Sequence, residues 1–506
     1  MFDPFVVRYR TTSGLAEIED MPTRREILQG AAALALLSRI GAQGAQAAAA
    51  AKNDDYVPVT DPLVAKKLAQ WQDWKFGLIL HWGTYSQRGI VESWSICSED
   101  EPWCARPEGV GYVEYKREYE QLPKTFNPLK FDPDAWARAA HDAGMRYVVF
   151  TTKHHDGFCM FDTKQTDYCI TAPDVPYHTN KNANITLALF DAFRKRDFGI
   201  GAYFSKADWH HPDYWSRRWA TPTRNNNYDT RKYPQMWKRF VEFTHAQIEE
   251  LTTQYGRVDL MWLDAGWVNE QSHPDAKAYG MEVPWPQDMD MRKLAAIARR
   301  NQPGIILVNR ADGGPYENYR TPEQTVPDQP LPYPWETCMT MGDSWSYKPD
   351  DKYKSTRELV RTLVEIVSRG GNLLLGVGPT GEGELPAAAL QRMREIGEWM
   401  NVNGSAIHDT RPIAPYSEGK LRFTQNKDGA VNAIYLPDAN EAQPPANITL
   451  GALRPAPGAQ VKLLGIDRPL AWRERDGSVN VTLPEAVRQK AQGAPAWTLR
   501  ISAVRS

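Results

Sequence analysis

One pattern constrains this chain more than any other. Between Trp74 and Val377, short apolar runs alternate with longer helical stretches. Lys75–His81, Arg146–Thr152, Gly199–Ser205, Val258–Asp264, Gly304–Asn309 and Asn372–Val377 read as strands. The intervening Phe131–Ala143, Asn184–Arg196, Pro234–Thr253, Leu294–Arg300 and Ser355–Ser368 read as helices. Continuous apolar strands are buried on both faces, and alternation with helices of this length requires a parallel sheet with crossover helices. The repeat predicts a (β/α)8-like, TIM-type barrel. A doubly wound sheet is the alternative, but no GxGxxG or Walker-type glycine loop follows any strand. After about residue 414 the helical period fades. Leu421–Gln425, Val431–Leu436, Gln460–Leu464 and Ala496–Ser502 alternate with Gly, Asn and Pro turns, which predicts a C-terminal antiparallel β-sandwich. The expected organisation is a leader over 1–47, the barrel over 48–413 and the sandwich over 414–506.

A barrel builds its active site from the C-terminal ends of its strands. The first strand ends at His81-Trp82 and the second in Lys153-His154-His155-Asp156-Gly157. The third ends at Tyr203-Phe204-Ser205, the fourth at Trp262-Leu263-Asp264 and the fifth at Asn309-Arg310. Five polar, titratable or aromatic endings at one edge of an apolar sheet point to a site. Imidazoles and a guanidinium give directional hydrogen bonds to hydroxyls, and tryptophan stacks on the C–H face of a sugar. A carboxylate among them suits nucleophilic attack.

The segments around these endings carry a resemblance. KFGLILHWGTYS (Lys75–Ser86), YVVFTTKHHDGFCMFDT (Tyr147–Thr163), MWLDAG (Met261–Gly266) and SRGGNLLLGVGPTGEG (Ser368–Gly383) resemble glycoside hydrolase family 29, the α-L-fucosidases. The resemblance spans roughly residues 60–410. It implies an exo-acting, retaining α-L-fucosidase with fucosylated oligosaccharides or glycoconjugates as substrates. It also implies that Asp264 is the nucleophile and that His81, His154, His155, Tyr203, Trp262 and Arg310 bind the fucose. Trp94 is set against the tryptophan of a family Glu-Trp pair. Here Ser93 precedes it and Glu92 stands one residue further back, a departure from that pattern. For the acid/base, Glu323 in TPEQ is the first choice and Glu336 in PWETC the second. A non-catalytic fucose-binding protein on the same scaffold is the alternative reading.

The remaining features bound the reading from outside. A formal net charge of -2 lacks the electrostatic footprint of a nucleic-acid binder. His154 and His155, read as strand neighbours, would point to opposite faces, and no HExxH helix accompanies them. No metal and no cofactor is therefore expected. There are 5 cysteines and no CxxC. Cys97 and Cys104 are candidates for a disulfide, with two thiols the preferred reading. Residues 21–47 place Arg24-Arg25 before the apolar run Ile27–Leu37 and the small-x-small Ala45-Gln46-Ala47. The run is shorter than the roughly 20 residues that span a bilayer. It resembles a bacterial twin-arginine signal and predicts periplasmic or secreted protein without a membrane anchor. Both a monomer and an oligomer fit the sequence.

Overall fold

The computed structural model describes residues 56–97, 104, 106–271 and 284–505. The leader expected over 1–47 lies outside them. Seven strands form one parallel sheet: β1 (Phe76–Leu80), β2 (Tyr147–Lys153), β3 (Gly199–Ser205), β4 (Leu260–Asp264), β5 (Ile306–Asn309), β6 (Glu336–Thr340) and β7 (Asn372–Val377). Their order is β5-β4-β3-β2-β1-β7-β6. The helices around it are α1 (Pro62–Trp74), α2 (Tyr112–Tyr119), α3 (Pro133–Asp142), α4 (Ile185–Arg194), α5 (Pro234–Thr253), α6 (Met291–Asn301), α7 (Thr356–Ser368) and α8 (Ala387–Asn403). Local sequence sets their starts. Asp61 caps α1, accepting from the Leu63 and Val64 amides ahead of Pro62. Ser355 caps α7 by accepting from the Glu358 amide, in an S-x-x-E arrangement. Each cap contributes about 1 kcal/mol.

The barrel is closed by something other than an eighth regular strand. Segment 317–324 lies between β5 and β6 and bonds to both. The Asn318 amide donates to Leu307 O at 2.9 Å, and the Glu336 and Cys338 amides donate to Arg320 O and Pro322 O. This stave is irregular because its surroundings are rich in proline (322, 327, 330, 332 and 334), which cannot donate to a ladder. The sheet is thus a (β/α)8-like barrel with seven regular strands. The short, polar β6 escaped the hydrophobic reading of the sequence.

Side chains inside the barrel separate from those under the helices by strict alternation. Ile79, Val149, Tyr203, Leu260, Trp262, Ile306 and Val308 pack in the interior. Leu80, Val148, Phe204, Met261, Leu263 and Leu307 pack against the helices.

The C-terminal domain is antiparallel. Its strands are β8 (Thr410–Glu418), β9 (Leu421–Asn426), β10 (Val431–Tyr435), β11 (Asn447–Leu450), β12 (Val461–Leu463), β13 (Trp472–Arg475), β14 (Ser478–Thr482) and β15 (Trp497–Ile501). Sheets β12-β15-β10-β9-β8 and β11-β14-β13 share one core, which contains Phe423, Val431, Leu450, Val481 and Leu499. The opposite face of β10 sends Ile434, with nearby Leu436, into the core under the barrel helices. Arg422 joins the two domains by a two-pronged contact with Glu365 of α7, both bonds 2.7 Å.

Candidate active site

Alternation fixes which strand-end side chains reach the barrel mouth. Leu260 and Trp262 face inward, so Asp264 does too. Ile79 leads to His81 in the same way, Tyr203 to Ser205, and Ile306 and Val308 to Arg310. All of these lie at the C-terminal ends of their strands.

Two carboxylates meet on one guanidinium there. Asp264 Oδ1 accepts from Arg310 Nη1 at 3.2 Å, while Arg310 Nη2 bonds Glu323 Oε2. Asp264 Oδ2 accepts from the Tyr203 hydroxyl at 2.6 Å. Glu323 Oε1 accepts from Trp345 Nε1 at 3.0 Å. The Arg310 guanidinium rests 4.9 Å from the Trp262 ring centroid. Burial alone would raise the Asp264 carboxyl, but the Arg310 guanidinium, with the Tyr203 hydroxyl, holds it well below the usual carboxylate range. Asp264 is therefore ionised at neutral pH. Glu323 belongs to the irregular stave, bridged to Cys338 of β6.

The histidines arrive by a different route from the expected one. The β2–β3 register shifts between Thr151 and Lys153, and β2 ends at Lys153. The chain then turns, with the Gly157 amide donating to His154 O at 3.1 Å. Gly157 has φ +79°, and a Cβ there would meet Asp208 Oδ1 at 2.2 Å, so no other residue fits. His154 and His155 consequently lie beyond the strand, and their ring centroids are 4.1 Å apart. The opposite-face argument for a strand does not apply to them. His154 Nδ1 lies 2.5 Å from Ser93 Oγ, and His155 Nδ1 2.6 Å from Ser205 Oγ. His81 packs against Tyr203 and Trp345. Burial lowers His81 to about 3 and His155 to about 4, against the pull of Asp264, and burial also lowers His154. Neutral imidazoles line the mouth. Among the described residues, no three His, Cys, Asp or Glu side chains group as metal ligands.

Aromatic rings complete the walls. The Trp94 and His155 rings meet edge to face with centroids 5.2 Å apart, and Trp94 also contacts Trp209 and Trp267. The Arg224 guanidinium lies over Trp94 and Trp267. Trp345 and Arg224 were not singled out from sequence, and Ser205 was named only as part of the third strand ending. For Ser205 the inward parity of β3 was a usable signal. Trp345 and Arg224 sit in loops where no period exists.

Glu336 and Glu92 both bond to neighbours inside the protein. Glu336 is the first residue of β6 and lies under the Trp262 platform, away from the mouth. It accepts from the Tyr147 hydroxyl (2.6 Å), Tyr319 hydroxyl (3.2 Å) and Trp262 Nε1 (3.3 Å) and has no solvent exposure. Glu92, one residue before Ser93, directs Oε1 to the Ser346 amide at 2.9 Å, so Ser93 is the residue that meets His154. Burial pushes Glu92 up to about 8. All five cysteines are buried thiols, Cys97 and Cys104 included.

A parallel barrel with paired carboxylates, neutral imidazoles and tryptophans at its C-terminal mouth defines a glycoside hydrolase. The comparisons name the family. The family described as alpha-L-fucosidase matches residues 43–405, and the alpha-L-fucosidase C-terminal domain matches 416–502. The chain belongs to the α-L-fucosidases of glycoside hydrolase family 29. An α-L-fucosidase of Branchiostoma floridae is 27% identical over 468 residues, 89% of this chain and 96% of that one. The plasma α-L-fucosidase of Homo sapiens is 28% identical over 476 residues, 88% and 92% of the two chains. Among solved structures, α-L-fucosidase isoenzyme 1 of Paenibacillus thiaminolyticus matches with TM-score 0.68 at 28% identity, covering 88% of this chain and 100% of that one. The α-fucosidase of Thermotoga maritima in complex with fucose matches with TM-score 0.65 at 25% identity, covering 85% and 96%.

Proposed function

We propose that the protein is an exo-acting, retaining α-L-fucosidase that removes terminal fucose from oligosaccharides or glycoconjugates. The observation that carries this reading is the single Arg310 guanidinium bonded to both Asp264 and Glu323. Retaining pairs stand about 5–5.5 Å apart, and two carboxylates sharing one planar cation are compatible with such a spacing. Asp264, ionised, attacks the anomeric carbon to form a fucosyl ester. Glu323 gives its proton to the departing oxygen and then takes one from the attacking water. That water cleaves the ester and restores Asp264 with the anomeric configuration retained. His81, His154, His155, Tyr203, Trp262, Arg310 and Trp94 hold the sugar in this scheme. The aromatic faces of Tyr203, Trp262 and Trp345 suit the C5 methyl of fucose, which replaces a hydroxymethyl of other hexoses. Such a difference discriminates by about 1–3 kcal/mol. The fucose-bound Thermotoga maritima relative supports the same sugar. The reaction draws on no cofactor and no metal.

Para-nitrophenyl α-L-fucoside, with the β-D-galactoside as control, tests the reading. Turnover of the fucoside alone is expected. Asp264→Asn should lower kcat by several orders of magnitude with the fold retained. Near-normal turnover in that variant would sink the nucleophile assignment. Export through the Arg24-Arg25 signal belongs to the same proposal. The N-terminus of periplasmic protein, read by mass spectrometry, should lie near Ala48–Lys52.

A further inference from the structure

His155 has two ring nitrogens with different neighbours, and the proton count at one of them decides the other. Ser205 is the last residue of β3, fully buried and in register with Asp264 on β4. Its Oγ lies 2.7 Å from Ala207 O. A carbonyl only accepts, so the one hydroxyl proton of Ser205 is committed to Ala207. At 2.6 Å from His155 Nδ1, Ser205 Oγ can then only accept. The Nδ1 nitrogen therefore carries the proton. With burial holding His155 at about 4, the ring is neutral at pH 7 and Nε2 is a bare acceptor. That acceptor faces the barrel mouth, 3.8 Å from Asp264 Oδ2. Two acceptors confront one another across the position where the reacting carbon must come. A hydroxyl proton of the bound sugar resolves that conflict.

We infer that Ser205 is a positioning residue that fixes the His155 tautomer, making Nε2 the acceptor for one hydroxyl of the fucosyl ring next to Asp264. This rests on the fucosidase reading above. Ser205 touches no substrate; it acts through His155. The backbone supplies the last link, since Ala207 O directs the serine proton and so directs the imidazole proton. Without the serine oxygen, Nδ1–H loses its buried partner. The alternative tautomer, with Nε2–H turned toward the Asp264 carboxylate, becomes the favoured one. It would donate where the sugar hydroxyl also donates.

Two readouts test this. The first is NMR of protein labelled with 15N in the histidine rings, with His155 assigned by its loss in a His155→Asn variant. Wild type at pH 7 should show His155 protonated at Nδ1 and bare at Nε2. Ser205→Ala should move the proton wholly or partly to Nε2. An Nε2–H tautomer in the wild type, or an unchanged tautomer in Ser205→Ala, overturns the inference. This arm needs no turnover, so it stands apart from any failure of the fucosidase reading. The second readout is kcat/KM on para-nitrophenyl α-L-fucoside and its 2-, 3- and 4-deoxy analogues. Ser205→Ala should lose on the order of tenfold on the parent and on two analogues, and little on the analogue lacking the hydroxyl that Nε2 accepts from. An equal loss on all four substrates would mean general structural damage and would refute the role, as would no loss on any.

Discussion

At the residue scale, Arg310 has the largest influence on the site. It holds Asp264 by one nitrogen and Glu323 by the other, and lies over the Trp262 ring. A lysine ammonium is a point charge and cannot reproduce that fork. Burial alone raises the Asp264 carboxyl, and the Arg310 charge is the largest of the effects that outweigh it. Arg310→Gln removes both that charge and the fork, so the carboxyl should titrate at a higher pH. The nucleophile must be ionised, so the acid limb of the kcat/KM profile should move upward, with a loss of about 10²–10³ in kcat at the optimum. Profiles of wild type and variant between about pH 3 and 8 check this. An acid limb that stays in place would show that Arg310 does not set the Asp264 charge.

At the element scale, the irregular stave separates the two glutamates that sequence left in competition. Glu323 lies on that stave at the mouth; Glu336 opens β6 and joins β2, β4 and the stave at the floor. The two should fail differently. Glu323→Ala should lose turnover, keep its stability and regain activity with azide, giving fucosyl azide of retained configuration. Glu336→Ala strands three buried donors and leaves a cavity, which should cost about 3 kcal/mol or more in urea unfolding, with no response to azide. Azide rescue of Glu336→Ala would reverse the assignment. The same geometry explains what could be read from sequence. His81, Tyr203, Trp262, Asp264 and Arg310 follow from period two on buried strands. Glu323 does not, because prolines abolish the period across 315–334, and the interior role of Glu336 depends on donors from β2 and β4, far away in sequence. His154 and His155 were legible as a motif, while the bulge that brings both rings together was not. In the C-terminal domain, β9, β10, β12 and β15 were legible from alternation with turn residues. The exposed β13 has no apolar face to betray it.

At the scale of the whole molecule, the buried titratable groups set a pH window for stability. His81 (about 3), His155 and His408 (each about 4) are held below their ordinary 6.5 by burial, as is His154. An unfolded chain takes up these protons near 6.5, whereas the folded one does not until far lower pH. Below 6.5 the unfolded state binds more protons, so stability falls as the solution is acidified. Glu336 and Glu92 act in the opposite sense. Burial raises them to about 7 and about 8 from 4.5, so the folded chain keeps protons that the unfolded chain has released. Each retained proton lowers stability by about 1.4 kcal/mol per pH unit between the unfolded and folded values. Asp156, raised to about 6 by burial, adds to that slope only up to its own value. Burial also lowers His211 and His245 and raises Glu317 and Asp351, so between about 4.5 and 6.5 six histidines outnumber five acids and stability rises with pH. Above 6.5 the histidine contribution ends and the two glutamates remain, so stability declines up to about 7, where Glu336 ionises and Lys75, lowered by burial to about 7 from 10.5, begins to offset Glu92. Asp264, depressed, matters only on the acid side, where its stabilising charge is lost as pH falls below about 3.8. The maximum should therefore lie near pH 6.5. Urea unfolding from pH 5 to 8 should rise to that summit, dip toward 7 and level off, and Glu92→Gln should turn the level range between 7 and 8 into a rise. A stability that keeps rising between 6.5 and 7 in the wild type would mean that Glu92 and Glu336 are ionised in the folded protein.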